Sequence, residues 1–179
     1  MAKLKAGIIG LGVGESHIEG YNAHPGCEVT ALCDFSEEKL ALARTKFPGL
    51  KLTSNPSDIL GDSSIDVISI ASYDNHHYGQ ILQAIKNNKH LFVEKPICLF
   101  YDELENIRKL LVEHPGLKLS SNFVLRTCPR FIRIREAVRS GEMGSLFYIE
   151  GDYFWGRIYK LAQGDGFLLY YLWRCNSHD

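Results

Sequence analysis

Strand-like and helix-like segments alternate along this 179-residue sequence, which predicts an α/β fold: a doubly wound sheet of parallel strands reaching to about residue 120. Three observations carry the prediction. Each apolar run is followed by a helical stretch, the crossover that brings the chain back to the same end of a parallel sheet. The run "IDVISIA" at 65–71 is apolar enough for a central strand buried on both faces. A glycine cluster stands directly after the first run, where a strand gives way to a helix.

The elements follow in order. Residues 6–9 read as a short strand, and a helix from about Gly14 ends at "HPG", His24 to Gly26, because proline and glycine cannot continue it. "EVTALC" at 28–33 is the second strand. Ser36 caps a helix whose Leu40, Ala43 and Phe47 share one face, and Pro48 and Gly49 stop it. A short strand at 50–53 and a brief helix opened by "SNPSD" lead to the central strand at 65–71. Ile81, Leu82 and Ile85 give 76–88 a helical spacing, 90–93 is the next strand, and Asp102 is expected to cap a helix that a second "HPG" ends at His114. Residues 117–124 are again strand-like.

Composition narrows the function. Apolar residues make up 45% and charged residues 23%, and 20 basic against 21 acidic residues leave a net charge of -1. Such balance gives no bulk attraction to nucleic acid or to an anionic membrane, so specificity has to come from a local site. The apolar part of "MAKLKAGIIGLG" is too short for a signal peptide and no run reaches a membrane span, so a cytoplasmic protein is expected. Five cysteines without a C-x-x-C pair suit reduced thiols better than disulfides or zinc. His76 and His77 beside Asp74 are adjacent on a nascent helix and point apart, so no metal is expected there. The arginines from Arg126 to Arg139 read as the solvated face of a helix whose Phe131, Ile134 and Val138 form a buried stripe.

The loop "GLGVGESH", Gly10 to His17, sits between a strand and a helix. In that context Gly10, Gly12, Val13 and Gly14 form a turn that lets main chain approach a pyrophosphate at a helix N-terminus. Against G-x-G-x-x-G, Gly10 and Gly12 fit while Glu15 takes the third position and Gly14 falls one residue early. A plain glycine turn is the alternative. The second strand ends at Asp34, where a carboxylate can accept from adenosine ribose hydroxyls and repel a 2′-phosphate. NAD is therefore expected over NADP, with Lys39 or Arg44 near enough to soften the preference. A turn or cap role for Asp34 is the other reading.

The apolar run "HLFV" stops at Glu94, Lys95 and Pro96. In a parallel sheet Lys95 emerges at the same end as the glycine loop, a partly buried ammonium placed for proton transfer or hydrogen bonding. Glu94 is expected to orient it, and Pro96 to fix the turn without needing a donor.

Together "GIIGLGVGESH", "LCD", "ASYDNHHYGQILQAIKNNKHLFVEKPIC" and "NFVLRTCPRFIRIREAVRSGEMGSLFYIEGDY" resemble the glucose-fructose oxidoreductase and inositol dehydrogenase family (Gfo/Idh/MocA), over about residues 4 to 158. The resemblance implies a Rossmann-type dinucleotide domain over 1–120 and, over 121–179, the start of a second, incomplete α/β domain. It implies a nicotinamide-dependent dehydrogenase that moves a hydride to or from a sugar, polyol or related hydroxyl compound. Position by position, Gly10 and Gly12 match the phosphate loop, Asp34 the ribose acid, and Lys95 the lysine near nicotinamide and substrate. Tyr73, Asp74 and His77 stand where the family often has Pro-Asn and, three residues on, a histidine. That makes Lys95 and His77 the catalytic candidates, with Tyr73, Asp74 and Glu94 beside the cofactor. A non-catalytic dinucleotide sensor is the alternative function, since a lone dinucleotide domain can bind without chemistry.

After Lys160 the sequence "LAQGDGFLLYYLWRCNSHD" shows neither helical nor strand periodicity, and a reading frame shifted within 161–179 is the expectation. A truncated second domain would leave the strand expected at 146–155 as an open, aromatic edge inviting pairing with another copy.

Overall fold

The computed structural model describes residues 2–152. The chain divides into two compact units, Met1–Phe131 and Ile132–Asp179. In the first unit the strands β1 (Leu4–Ile9), β2 (Cys27–Cys33), β3 (Lys51–Thr53), β4 (Val67–Ile70), β5 (His90–Val93) and β6 (Leu119–Ser121) alternate with helices α1 (Glu15–Ala23), α2 (Glu37–Lys46), α3 (Ser57–Leu60), α4 (Asp74–Lys86) and α5 (Tyr101–Glu113). They form one six-stranded sheet in the order β3-β2-β1-β4-β5-β6, parallel at every pairing. Strand order reverses direction between β1 and β4, the switch point of a doubly wound sheet, where a crevice opens at the strands' carboxyl ends.

Register fixes that rim. Ile9 pairs with Cys33 on one side and Ile70 on the other, and Ile70 pairs with Val93. The residues that follow, Gly10, Asp34, Ala71 and Glu94, therefore leave the sheet together. The core lies on its two faces: Ile59, Ile68, Ile70, Ile81, Ile85 and Ile107 are buried on one, and Ile8, Ile18, Leu32 and Leu40 on the other. Burying such side chains contributes roughly 1.5–3 kcal/mol each, enough to hold the rim residues on a rigid frame.

Local chemistry explains most element ends. Ser36 Oγ accepts the Lys39 N–H at 3.4 Å and caps α2. Helix α4 closes on Asn88, whose φ of 55° is left-handed. There the Lys89 N–H reaches Ala84 O (2.9 Å) and the Asn88 N–H reaches Ile85 O (2.9 Å), a closure that turns the chain straight into β5. Helix α5 corrects one expectation. Its cap position is Phe100, and the Glu103 carboxylate accepts the N–H groups of Leu99 (3.0 Å) and Phe100 (3.3 Å). Asp102 lies inside the first turn, where its charge favours the helix dipole but caps nothing.

Beyond β6 the sequence predicts more order than is formed. The strand is confined to Leu119–Ser121 and a 3-10 turn, Val124–Arg126, takes over before helix α6 (Pro129–Arg139). The stripe Phe131, Ile134 and Val138 is 40% to 48% exposed, not buried. In the second unit the Arg133 guanidinium donates to both Glu142 oxygens at 2.8 and 3.0 Å. Residues 146–152 form no strand, so the expected pairing edge is not made by them. Residues 153–155, and the 161–179 stretch expected to be out of frame, lie outside the described residues.

Candidate functional site

The glycine loop shows why those positions carry glycine. Gly10 has φ +93°, and a Cβ there would meet Ala71 O at 2.2 Å, so no other residue fits without moving β4's end. A Cβ on Gly14 would lie 2.1 Å from Gly10 O and 3.0 Å from both Ala71 Cβ and Ile8 Cγ2. Gly14 thus does the close helix-to-strand packing asked of the third glycine, one residue early, and Glu15 is released to pair with Lys46 at 2.7 Å. Gly12 differs: only Lys39 Nζ, at 3.8 Å, comes near the space a Cβ would take. The N–H groups of Gly12 and Val13 make no hydrogen bond among the described residues. Open space, unused main-chain donors and the N-terminus of α1 together fit an anionic pyrophosphate.

Beside the loop is a cavity of about 490 Å³ lined by Gly10, Gly12, Val13, Asp34, Phe35, Lys39, Ser54, Tyr73, His76 and Gln80, among others. Asp34 lies at its edge with both carboxylate oxygens hydrogen-bonded: Oδ2 accepts the Leu11 N–H at 2.7 Å and the Lys39 ammonium at 3.2 Å, and Oδ1 accepts the Ser36 N–H at 2.9 Å, which leaves Oδ1 room for one more donor. Across the mouth the Phe35 and Tyr73 rings stand 5.8 Å apart between centroids, both exposed, offering apolar faces to a flat ring. Cys33 lines the floor; burial, with the Asp34 charge adding to it, pushes its thiol up to about 12. This keeps the floor neutral.

The turn after β5 departs from expectation in three ways. Lys95 is exposed rather than partly buried, and its ammonium makes no hydrogen bond or ion pair among the described residues. Glu94 is buried and does not touch that ammonium. Its Oε1 accepts from Asn122 Nδ2 at 2.6 Å and lies 3.1 Å from His17 Nε2, while its Oε2 accepts the Lys95 N–H at 3.3 Å. It orients the main chain of the turn and is not among the residues lining the cavity. His17 Nδ1 lies 2.8 Å from Ser69 Oγ; with the ring proton on Nε2, the ring donates to Glu94 and accepts from Ser69. Nearby, burial pushes the Tyr21 hydroxyl up to about 12, the neighbouring Ser69 hydroxyl offsetting part of the rise.

His77 is the third departure. It is wholly buried, with Nδ1 2.6 Å from Pro96 O and Nε2 3.1 Å from Ser72 O. A ring so placed joins the loop after β4 to the turn after β5, and it is not among the residues lining the cavity. Asp74 begins α4 and is not among the residues lining the cavity, whereas Ser72, His76 and Gln80 are. Among the described residues no group of His, Cys, Asp and Glu is placed to hold a metal ion, and no helix is long and apolar enough to cross a membrane.

Sequence reasoning missed His17, Ser69, Asn122, Ser72 and Gln80. A signal existed for one: Ser69 is a polar residue inside the apolar run at 65–71, and a buried hydroxyl requires a partner.

This geometry agrees with the family model described as an oxidoreductase family with an NAD-binding Rossmann fold, which matches residues 4–123. The chain belongs to the Gfo/Idh/MocA oxidoreductase family. Among curated members, the Bacillus subtilis oxidoreductase YrbE is 30% identical over 144 residues, covering 80% of this chain and 42% of that protein. Myo-inositol 2-dehydrogenase of Thermotoga maritima is 27% identical, covering 79% of this chain and 42% of the enzyme. A solved family structure, scyllo-inositol dehydrogenase from Lactobacillus casei with NAD(H) and scyllo-inositol bound, superposes with a TM-score of 0.73 at 26% identity, covering 80% of this chain and 43% of that one. The chain thus spans less than half the length of these relatives.

Proposed function

We propose that this chain carries the dinucleotide half of a nicotinamide-dependent dehydrogenase acting on a sugar, polyol or related hydroxyl compound. One observation supports the reading above others: the register Ile9–Ile70–Val93 sets the glycine loop and Lys95 on the same rim of the sheet, two strands and thus ~10 Å apart. A dinucleotide with its pyrophosphate on Gly12 and Val13 and its adenosine toward Asp34 directs its other end along that rim toward Lys95. When bound, the nicotinamide ring supplies the hydride acceptor or donor.

The protein's share is binding, orientation and the proton. Gly12 and Val13 donate main-chain N–H groups to the pyrophosphate, and Asp34 receives a ribose hydroxyl. Oxidising an alcohol carbon releases its hydroxyl proton along with the hydride, and Lys95 Nζ as the neutral amine takes that proton and becomes the ammonium; in the reverse direction the ammonium returns it. Glu94 and His77 hold the turn that presents Lys95, one through the Lys95 N–H and the other through Pro96 O. The inositol dehydrogenases among the relatives make the inositols the first substrates to try.

The test is a titration of the purified chain with NAD and NADH, followed by an assay against myo-inositol, scyllo-inositol and other polyols. Turnover supports the dehydrogenase, and binding without turnover supports a dinucleotide sensor. Lys95→Met should abolish turnover while leaving NADH affinity within about threefold, since the side chain is exposed and its loss costs little elsewhere. Equal loss of both would contradict the role given to Lys95.

A further inference from the structure

A carboxylate at the end of β2 by itself repels a 2′-phosphate. Asp34 is not by itself. Its side chain is 1% exposed and paired at 3.2 Å with the Lys39 ammonium, whose side chain is 42% exposed. The buried acid is thus covered by a more accessible cation, and Lys39, not Asp34, presents the larger surface to solvent at that edge of the cavity.

The position of the ammonium narrows what it can serve. Lys39 lines the cavity, its Nζ is 3.8 Å from the space above Gly12 and 5.9 Å from the centroid of the Phe35 ring. It therefore stands between the phosphate loop and the aromatic mouth, the stretch an adenosine ribose occupies when the pyrophosphate rests on Gly12. Of its N–H groups one goes to Asp34, and an ammonium carries two more. Arg44, on the same helix, is not among the residues lining the cavity.

We propose that Lys39 is a specificity-determining residue that admits a 2′-phosphorylated dinucleotide, so that this crevice takes NADP(H) as well as NAD(H). The inference rests on the reading of the crevice as a dinucleotide site. A 2′-phosphate accepts a charge-assisted hydrogen bond from Lys39 Nζ, and the cation offsets the Asp34 charge beneath it. Glu37 and Glu38, in the first turn of α2 but not lining the cavity, add negative charge that opposes the phosphate. NADPH therefore binds less tightly than NADH but in a measurable range.

The experiment titrates the full chain with NADH and NADPH, following the nicotinamide fluorescence, for the wild type, Lys39→Gln and Lys39→Arg. Losing one charge-assisted bond should weaken NADPH by roughly ten- to a hundredfold in Lys39→Gln. NADH should stay within about fivefold, because a pair with so exposed a cation is worth little. Lys39→Arg should keep most of the NADPH affinity, and NADPH affinity should fall more steeply with added salt than NADH affinity. If NADH binds and NADPH does not, or if Lys39→Gln weakens both equally, the role of Lys39 is wrong while the dinucleotide site stands. If neither binds to a chain with native circular dichroism, the site reading falls and this inference with it.

Discussion

Lys89 and Lys95 stand at opposite ends of β5, and their surroundings could hardly differ more. Lys89 is 4% exposed, and its ammonium donates to Asp62 O at 2.6 Å and Ile65 O at 2.5 Å. Lys95 is exposed and its ammonium has no partner among the described residues. At the lower rim a buried cation is matched by main-chain carbonyls, as burial demands, and two of its three N–H donors are spent on them. At the upper rim the N–H groups of Gly12 and Val13 and the Lys95 ammonium are all unspent among the described residues. The two ends of one strand thus separate a residue that holds the fold from residues available to a ligand.

The largest expected effect falls on the lower rim. Lys89→Ala removes the donor from Ile65 O and leaves a cavity, and should lower the unfolding free energy by about 3 kcal/mol, read from equilibrium urea denaturation. NADH affinity of the folded fraction should not move. Lys89→Met restores volume but no donor, so it should recover only part of the loss; full recovery would break the contrast between the rims.

A second effect comes with alkali. Cys33 rises from 9.0 and Tyr21 from 10.0, each to about 12. Both are acids whose neutral form the fold favours, so between those limits the folded chain keeps protons that the unfolded chain has lost. The stabilisation is fully present below pH 9 and is lost as pH rises toward 12. The urea midpoint should therefore fall across that window, and Cys33→Ala should flatten its lower part. A midpoint flat through the window would mean that neither group is held as described.

The smallest stability effect belongs to Lys95→Met, which should change unfolding free energy by no more than about 0.5 kcal/mol, in the same urea measurement. A loss comparable to that of Lys89→Ala would show that Lys95 carries structure after all.

Much of the fold was legible because its signals are local. Strand ends at Ile9, Cys33 and Val93 are written in apolar runs that stop at glycine, aspartate and glutamate, and those stops place Gly10, Asp34 and Lys95 on one rim as soon as the strands are parallel. The cap at Ser36 and the two "HPG" stops are equally local. Side-chain direction after the strand ends was not legible. Glu94 turns inward because of His17 and Asn122, 77 and 28 residues away in sequence, and His77 is fixed by Pro96 O, 19 residues away. Periodicity also misled along α6: Phe131, Ile134 and Val138 have the spacing of a buried stripe, yet among the described residues they are exposed. Spacing records which residues share a face and is silent on whether a partner covers it.

The shared rim can be tested without turnover. In an amide NMR titration of the labelled chain with NADH, resonances of Gly10 to Gly14, Asp34, Phe35, Tyr73 and Lys95 should shift together, while those of Asp62 to Ile65 and Lys89 stay in place. Shifts confined to the Lys89 rim, or a responding glycine loop with a silent Lys95, would contradict the account.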